Sequence, residues 1–137
     1  MKYLLDTDVL SQYTKSRPDL RVDAWIERTD DSELYLSAFT LAELSFVIQS
    51  LAPGKKRTRL EDWFEDDLYM QFFRRIIFFD LEIAARYGSL MARARRSGFS
   101  PGVMDTLIAA TALANGMIVA TLNRKDFERL GVELVEF

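Results

Sequence analysis

The chain has 137 residues, of which 49% are hydrophobic and 28% charged, and its net charge at pH 7 is -3. This length and composition predict one folded domain over residues 1–137 and exclude an intrinsically disordered protein. The chain contains neither histidine nor cysteine, which excludes disulfides, the usual zinc ligand sets and nucleophile–imidazole catalysis. Any hydrolytic chemistry must therefore use carboxylates and an oxygen-preferring metal such as Mg²⁺ or Mn²⁺.

The start of the chain and its longest apolar runs bear on where the protein works. Three nonpolar residues, Tyr3 to Leu5, precede Asp6, so we expect neither a signal peptide nor a membrane-spanning segment. The lack of cysteine agrees with a reducing compartment. We therefore expect a cytoplasmic protein that does not associate with membranes.

The first half of the chain predicts two strands and two helices. A short apolar run predicts a strand at 3–5, and apolar residues at helical spacing predict a helix over 22–28. Residues 34–37 alternate and are rich in strand formers, which predicts a second strand. A helix over 40–51 follows, with Thr40 as its N-cap, and Pro53-Gly54 ends it.

The second half continues the alternation of helices and strands. Two of its helices end at Gly98 and Gly116, because glycine is favoured at a helix C-terminus. The predicted helices are 57–75, 81–96 and 103–115, and the predicted strands are 76–79, 117–120 and 132–135. Since these strands are apolar on both faces, we predict an α/β fold whose mostly parallel sheet is covered on both sides.

Positive charges form two groups, at 55–59 and 93–96, although the chain as a whole is acidic. A local basic face can bind phosphate in spite of an acidic total. A run of charges at the start of a helix is also typical of a solvated surface. These groups are therefore weaker candidates than the acidic residues described next.

Several polar residues stand at the ends of predicted elements. Asp6 and Asp8 follow the first strand, Asn123 and Asp126 follow the strand at 117–120, and Asp105 opens a helix. Ligands of an open parallel sheet bind beyond the carboxyl ends of its strands. Each residue also has an ordinary structural alternative, as a turn residue, a helix cap or a partner of the helix dipole.

Glu43 is the unusual residue of its predicted helix, because it lies beside the apolar face. An unpaired carboxylate there is costly unless it meets a cation, hydrogen bonds or water in a cleft. The alternative is a rim residue that reaches solvent. Combined with the acids at three other element ends, Glu43 predicts one cluster of carboxylates, whose mutual repulsion calls for divalent cations.

Four segments carry these residues: LLDTDVLS (4–11), LSAFTLAEL (36–44), MDTLIAATALANG (104–116) and ATLNRKDF (120–127). In this order and spacing the chain resembles PIN-domain nucleases, and among them the VapC-type toxins of toxin–antitoxin pairs. The resemblance covers essentially the whole chain. It implies a three-layer α/β/α sandwich with a mostly parallel sheet of about five strands, and a Mg²⁺-dependent endoribonuclease activity.

The resemblance also implies roles for individual residues. Asp6, Glu43 and Asp105 correspond to the core acids of the family, and Asp126 or Asn123 supplies the fourth position. Asp6 and Asp105 would hold Mg²⁺, for which Mn²⁺ can substitute, and Thr7 and Asn123 would position the substrate. Asp8 stands where the family usually has asparagine, which adds negative charge near the metal.

The implied partners are an RNA substrate, a cognate antitoxin protein and a second copy of the chain in a homodimer. Three other functions use the same residues. The first is a catalytically silent binding module, in which the acids only cap helices. The second is a nuclease for structured DNA. The third is a phosphatase-type domain, because Asp6-Thr7-Asp8 mimics its pair of aspartates spaced by one residue.

Overall fold

The computed structural model describes all residues from Met1 to Phe137. Its centre is a four-stranded sheet in the order β3-β2-β1-β4, and every neighbouring pair of strands is parallel. The strands are β1 (Tyr3–Leu5), β2 (Leu34–Ser37), β3 (Ile76–Ile77) and β4 (Ile118–Ala120). The prediction of a mostly parallel sheet is confirmed, with slightly fewer strands than the five expected.

The predicted strand at 132–135 is reduced to one parallel bridge, between Val119 and Leu134. Val119 donates its N–H to the carbonyl of Glu133 (2.9 Å) and accepts the N–H of Val135 (3.0 Å). The segment therefore follows β4 over a single residue, which is too short to count as a strand. The strand predicted at 76–79 is also shorter, because only Ile76–Ile77 pair with β2.

Eight α-helices surround the sheet, and short 3₁₀ turns at Ser11–Thr14 and Asp31–Glu33 join some of them to their neighbours. A π-helical turn, Trp63–Leu68, joins the fourth and fifth helices. The helices are α1 (Thr7–Leu10), α2 (Leu20–Arg28), α3 (Ala38–Gln49), α4 (Lys55–Asp62), α5 (Tyr69–Gln71), α6 (Leu81–Arg96), α7 (Val103–Asn115) and α8 (Arg124–Glu128). None of these helices has the length and apolar composition that a membrane crossing requires.

Three predicted helix ends are displaced by two residues: α2 begins at Leu20, α3 ends at Gln49 and α4 begins at Lys55. Two further predicted boundaries were wrong for reasons that the structure shows. The helix predicted from Thr40 begins at Ala38, because the Ser37 hydroxyl accepts the N–H of Phe39 (3.1 Å) and so caps it; Thr40 is buried inside the helix. The helical stretch predicted to reach residue 75 ends at Gln71. Arg74 adopts a left-handed backbone conformation (φ 67°), which no α-helix accommodates.

Apolar side chains on the two faces of the sheet form two separate cores. Leu5 of β1 belongs to the core that α2, α3 and the π-helical turn cover, whereas the adjacent Leu4 belongs to the core under α6 and α7. Successive strand residues point to opposite faces, so both faces are buried against helices. The three-layer α/β/α sandwich is confirmed, and its carboxyl edge gathers the loops after β1, β2 and β4.

Candidate active site

Asp6 follows β1 directly and is almost fully buried, with 6% of its surface exposed. One carboxylate oxygen accepts the N–H of Thr7 (2.8 Å) and thereby caps α1, and the other accepts the hydroxyl of Thr121 (2.8 Å). Burial, and after it the nearby charge of Asp8, raises the pKa of Asp6 to about 7. A helix cap gains nothing from such desolvation, so capping alone does not explain this residue.

Asp8 lies in the first turn of α1 and points back toward the loop after β4. Both of its carboxylate oxygens lie within hydrogen-bond distance of the Leu122 N–H, at 3.1 and 3.2 Å. Burial raises its pKa as well. Asp8 therefore joins the first turn of α1 to the loop after β4 and is not a solvated turn residue.

Asp105 occupies the first turn of α7 at the same edge of the sheet. Burial raises its pKa, and the charges of Asp126, Glu43 and Asp8 raise it further, in that order. Acids from α1, α3, α7 and α8 are thus close enough to act on one another electrostatically. The predicted convergence of carboxylates at the carboxyl edge of the sheet agrees with this geometry.

Asn123 connects two of these acids. Its side-chain amide nitrogen donates toward Asp126 (3.1 Å) and Asp105 (3.4 Å). The structural alternative, in which Asn123 caps α8 through its side chain, does not hold, because its side-chain oxygen accepts no hydrogen bond from the backbone of α8. Its amide N–H groups contact the two carboxylates. Asp126 therefore reaches the site through Asn123, at its periphery.

A cavity of about 340 Å³ lies between α1, α3, α7 and the loop after β4. Glu43 and Val47 border it from α3, and the hydroxyl of Thr7 is buried beside it without any hydrogen-bond partner. Five of the six predicted site residues line this cavity, together with Asp8, to which the sequence assigned no role: Asp6, Thr7, Glu43, Asp105 and Asn123. The sixth, Asp126, does not line it.

A larger cavity of about 830 Å³ lies against α4. Its lining combines Lys55 and Arg59 with Asp62, Asp66 and Asp67, so positive and negative charges largely balance. It contains none of the predicted site residues. The 340 Å³ cavity is the better candidate for hydrolytic chemistry, because its charged residues are all acids.

The donor set of the smaller cavity fits a hydrated magnesium ion. None of its carboxylates forms an ion pair with lysine or arginine, since the five ion pairs of the protein lie elsewhere. No three acids are close enough to enclose one ion by themselves. Mg²⁺ keeps several waters and takes only one or two protein carboxylates, so isolated carboxylates around a cavity suit it.

Sequence reasoning missed one residue of this site, Thr121. Its side chain is 1% exposed and contacts Asp6 and the loop that carries Asn123. A hydroxyl directly after the buried strand at 117–120 was the available signal, but threonine is also a common strand residue. Neither basic group lines the cavity, and Arg57 is paired with Glu61 at 3.4 Å.

Comparison with known proteins places this geometry in a family. The PIN domain family model matches residues 3–133. The chain is 40% identical over 132 residues to VapC ribonuclease Y4jK of Sinorhizobium fredii, covering 96% of this chain and 94% of that one. It is 36% identical over 124 residues to Toxin FitB of Neisseria gonorrhoeae, covering 90% and 89%. The solved structure of FitAB bound to an IR36 DNA fragment superposes with a TM-score of 0.91 at 34% identity, over 97% of this chain and 93% of that one.

Proposed function

The chain belongs to the PIN-domain family, and we propose that it is a Mg²⁺-dependent endoribonuclease that acts as the toxin of a toxin–antitoxin pair. Its relatives include a VapC ribonuclease and the toxin FitB, which supports a toxin nuclease of the VapC type. The observation that carries the proposal is the convergence of carboxylates from the end of β1 and from α1, α3 and α7 on one cavity whose lining includes no lysine or arginine.

Asp6 and Asp105 would hold the metal ion, because both line the cavity and both have a pKa raised by burial. The Asp8 carboxylate, whose pKa is also raised, is engaged by the Leu122 N–H. Desolvated carboxylates that repel one another gain the most from a bound dication. When bound, Mg²⁺ supplies positive charge against the scissile phosphate and makes water a better nucleophile at neutral pH.

The remaining residues would orient and exchange protons with the reactants. Glu43, which borders the cavity from α3, would accept a proton from the attacking water, directly or through a second water. The unpaired Thr7 hydroxyl can donate a hydrogen bond to a phosphate oxygen. With RNA bound, the exposed Asn123 amide would turn one N–H from Asp105, the longer of its two contacts at 3.4 Å, to a phosphate oxygen. In-line attack by water would leave a 5′-phosphate and a 3′-hydroxyl.

The proposed partners are a cognate antitoxin and a second copy of the chain. FitAB, to which this chain is similar, was solved as a complex bound to DNA. We propose that this chain likewise forms a complex with an antitoxin, and that the free toxin is a homodimer. Gel filtration at several concentrations tests the dimer, and a strictly monomeric protein would contradict it.

Cleavage of a mixed pool of transfer and ribosomal RNA is the test of the activity. Purified protein is incubated with Mg²⁺ or Mn²⁺, beside an EDTA control, the Asp6→Asn variant and the matched Asp67→Asn variant. Asp67 is an exposed aspartate outside the cavity. We expect discrete fragments that disappear with EDTA and with Asp6→Asn but persist with Asp67→Asn.

The same experiment separates the competing functions. A structured DNA substrate and a phosphomonoester are tested in parallel, and preferential cleavage of either would replace RNA as the substrate. Mn²⁺ binding distinguishes a silent module from a nuclease. A protein that cleaves nothing, and that binds Mn²⁺ no better than its Asp6→Asn variant does, would be a binding module.

A further inference from the structure

The loop after β4 is fastened to the end of β1 by side chains rather than by the sheet. The last backbone hydrogen bond between the two strands joins the Asp6 N–H to the Ala120 carbonyl (2.9 Å). Beyond it, the Thr121 hydroxyl contacts the Asp6 carboxylate and the Leu122 N–H contacts the Asp8 carboxylate. These two contacts join the loop after β4 to the end of β1 and the first turn of α1.

The hydrogen bonds of Thr121 have only one consistent arrangement. Its hydroxyl carries one proton, and the Asp6 oxygen at 2.8 Å is much closer than the Asp8 oxygen at 3.5 Å. The proton therefore points to Asp6. The hydroxyl oxygen accepts the backbone N–H of Asn123 at 3.0 Å. This buried hydroxyl thus links the backbone of Asn123 to the carboxylate of Asp6.

Asp8 is itself held firmly in place. Its backbone carbonyl accepts hydrogen bonds from the side chains of Ser11 (3.1 Å) and Gln12 (3.0 Å). Gln12 is 6% exposed, and its side-chain oxygen accepts the N–H of Asp19 at 2.8 Å. The Asp8 carboxylate is therefore a fixed acceptor for the Leu122 N–H and not a mobile surface charge.

The position of Asn123 depends on this loop. Its backbone N–H is bound by Thr121, and its side chain reaches Asp105 and Asp126. A shift of the loop would move the Asn123 amide away from both acids. The contacts of Asp8 and Thr121 consequently fix the position of the exposed half of the cavity, at α7 and α8, relative to the buried half, at β1.

We propose that Asp8 and Thr121 are positioning residues, which hold Asp6 in its orientation and Asn123 between Asp105 and Asp126. We call the hydrogen bonds from Thr121 to Asp6 and from the Leu122 N–H to Asp8 the loop latch. The proposal rests on the proposed nuclease function, since the latch aligns the residues that would bind metal and substrate. It assigns a function to the aspartate at position 8, because an acceptor oxygen is what the Leu122 N–H requires there.

Pairs of substitutions at the two latch positions test the proposal. Thr121→Val keeps the shape but removes the hydroxyl, whereas Thr121→Ser keeps the hydroxyl. Asp8→Ala removes the acceptor, whereas Asp8→Asn keeps an acceptor oxygen. Thr111→Val is the matched control, because Thr111 is a fully buried threonine of α7 whose hydroxyl donates to the Leu107 carbonyl (2.8 Å).

We expect Thr121→Val and Asp8→Ala to lower kcat for RNA cleavage by about ten- to a hundredfold, the usual effect of losing a residue that orients a metal ligand. KM should change far less than kcat. Thr121→Ser and Asp8→Asn should retain most of the wild-type kcat, and Thr111→Val should behave like the wild type. Amide hydrogen exchange by NMR should accelerate at Leu122 in Asp8→Ala and at Asn123 in Thr121→Val.

Three results would overturn the latch: full activity in Thr121→Val, equal loss in Thr121→Ser and Thr121→Val, or unchanged exchange of the Leu122 amide in Asp8→Ala. A wild-type protein that cleaves no RNA would contradict the proposed function instead. In that case the exchange of the Leu122 and Asn123 amides decides the latch by itself, because it does not depend on activity.

Discussion

The two halves of the cavity differ in how their carboxylates are held. At the end of β1, Asp6 is buried, bound by two hydrogen bonds and strongly desolvated. At α7 and α8, Asp105 and Asp126 are only half-buried, and they share the exposed amide of Asn123 through longer contacts. The carboxylate of the first half is held in place before a ligand binds, whereas those of the second half can change conformation when one does.

This difference suggests how the site combines affinity with turnover. Burial of a rigid, ionised carboxylate lowers the stability of the folded protein, and such a carboxylate gains the most free energy when it binds a cation. Exposed acids cost little and can rearrange around water and substrate. We therefore expect substitutions in the β1 half to change metal binding and stability together, and substitutions in the other half to change stability less.

Asp6→Asn should have the largest effect of any single change. Because a metal ion contributes several kcal/mol to stabilising the transition state of phosphodiester hydrolysis, loss of its principal ligand should lower cleavage on the order of a thousandfold. Asp105→Asn should also abolish measurable cleavage, and both variants should keep the wild-type circular dichroism spectrum. Initial rates with Mg²⁺ measure the effect. Near-normal activity in either variant would refute the assignment of these two ligands.

Asp6→Asn should lower activity but raise the stability of the metal-free protein. Since the pKa of Asp6 is about 7 in the folded chain and near 3.8 otherwise, the folded state retains between these pH values a proton that the unfolded chain has released. Stability therefore falls as pH rises from 4 to 7. Asp6→Asn removes this loss of unfolding free energy. At about 1.4 kcal/mol for each unit by which the pKa is raised, the loss amounts to a few kcal/mol at most.

Thermal unfolding of the metal-free proteins checks this prediction. At pH 7.5 we expect the Tm of Asp6→Asn to exceed that of the wild type by roughly 5 °C. The difference should shrink toward pH 4, as the carboxyl of the unfolded wild-type chain also begins to bind its proton. Asp105→Asn should raise the Tm less, because Asp105 is only half-buried. Equal Tm values at pH 7.5 would show that Asp6 carries no such penalty.

Much of this architecture could be predicted from the sequence. Apolar runs located four strands, and the acids that follow them were correctly expected to meet, because parallel strands bring their carboxyl ends to one edge. Periodicity found α6 and α7 to the residue. These features depend on side-chain burial along each element, which the sequence records directly.

Other features depend on contacts between distant residues, which no local pattern contains. Thr121 and Asp6 are far apart in the chain, and only the pairing of β4 with β1 brings them together. Ser37 replaced Thr40 as the cap of α3, because the helix begins directly after β2 and the Ser37 hydroxyl is already in place to accept the N–H of Phe39. The Asn123 side chain directs its N–H groups to Asp105 and Asp126, and these two carboxylates come from α7 and α8, whose approach no local pattern records.

Binding of Mn²⁺ should depend on pH in the range set by Asp6. The metal competes with the proton whose pKa is about 7, so affinity should fall by up to about tenfold for each pH unit below 7 and level off above it. Calorimetric titrations at several pH values, in buffers of different ionisation enthalpy, measure the affinity and count the protons released. An affinity that is constant from pH 5.5 to 8 would show that Asp6 does not bind the ion.

Asp126→Asn should have the smallest effect among the acids of the site. Asp126 does not line the cavity and reaches it through Asn123, so an asparagine there disturbs the orientation of a neighbour rather than removing a ligand. We expect cleavage to fall by about tenfold or less, with Mn²⁺ affinity nearly unchanged. A loss as large as that of Asp6→Asn would mean that the exposed half closes on the metal once RNA is bound, and that Asp126 then becomes a direct ligand. Asn123→Ala distinguishes these cases: if Asp126 acts only through Asn123, the double variant should lose no more activity than Asn123→Ala alone.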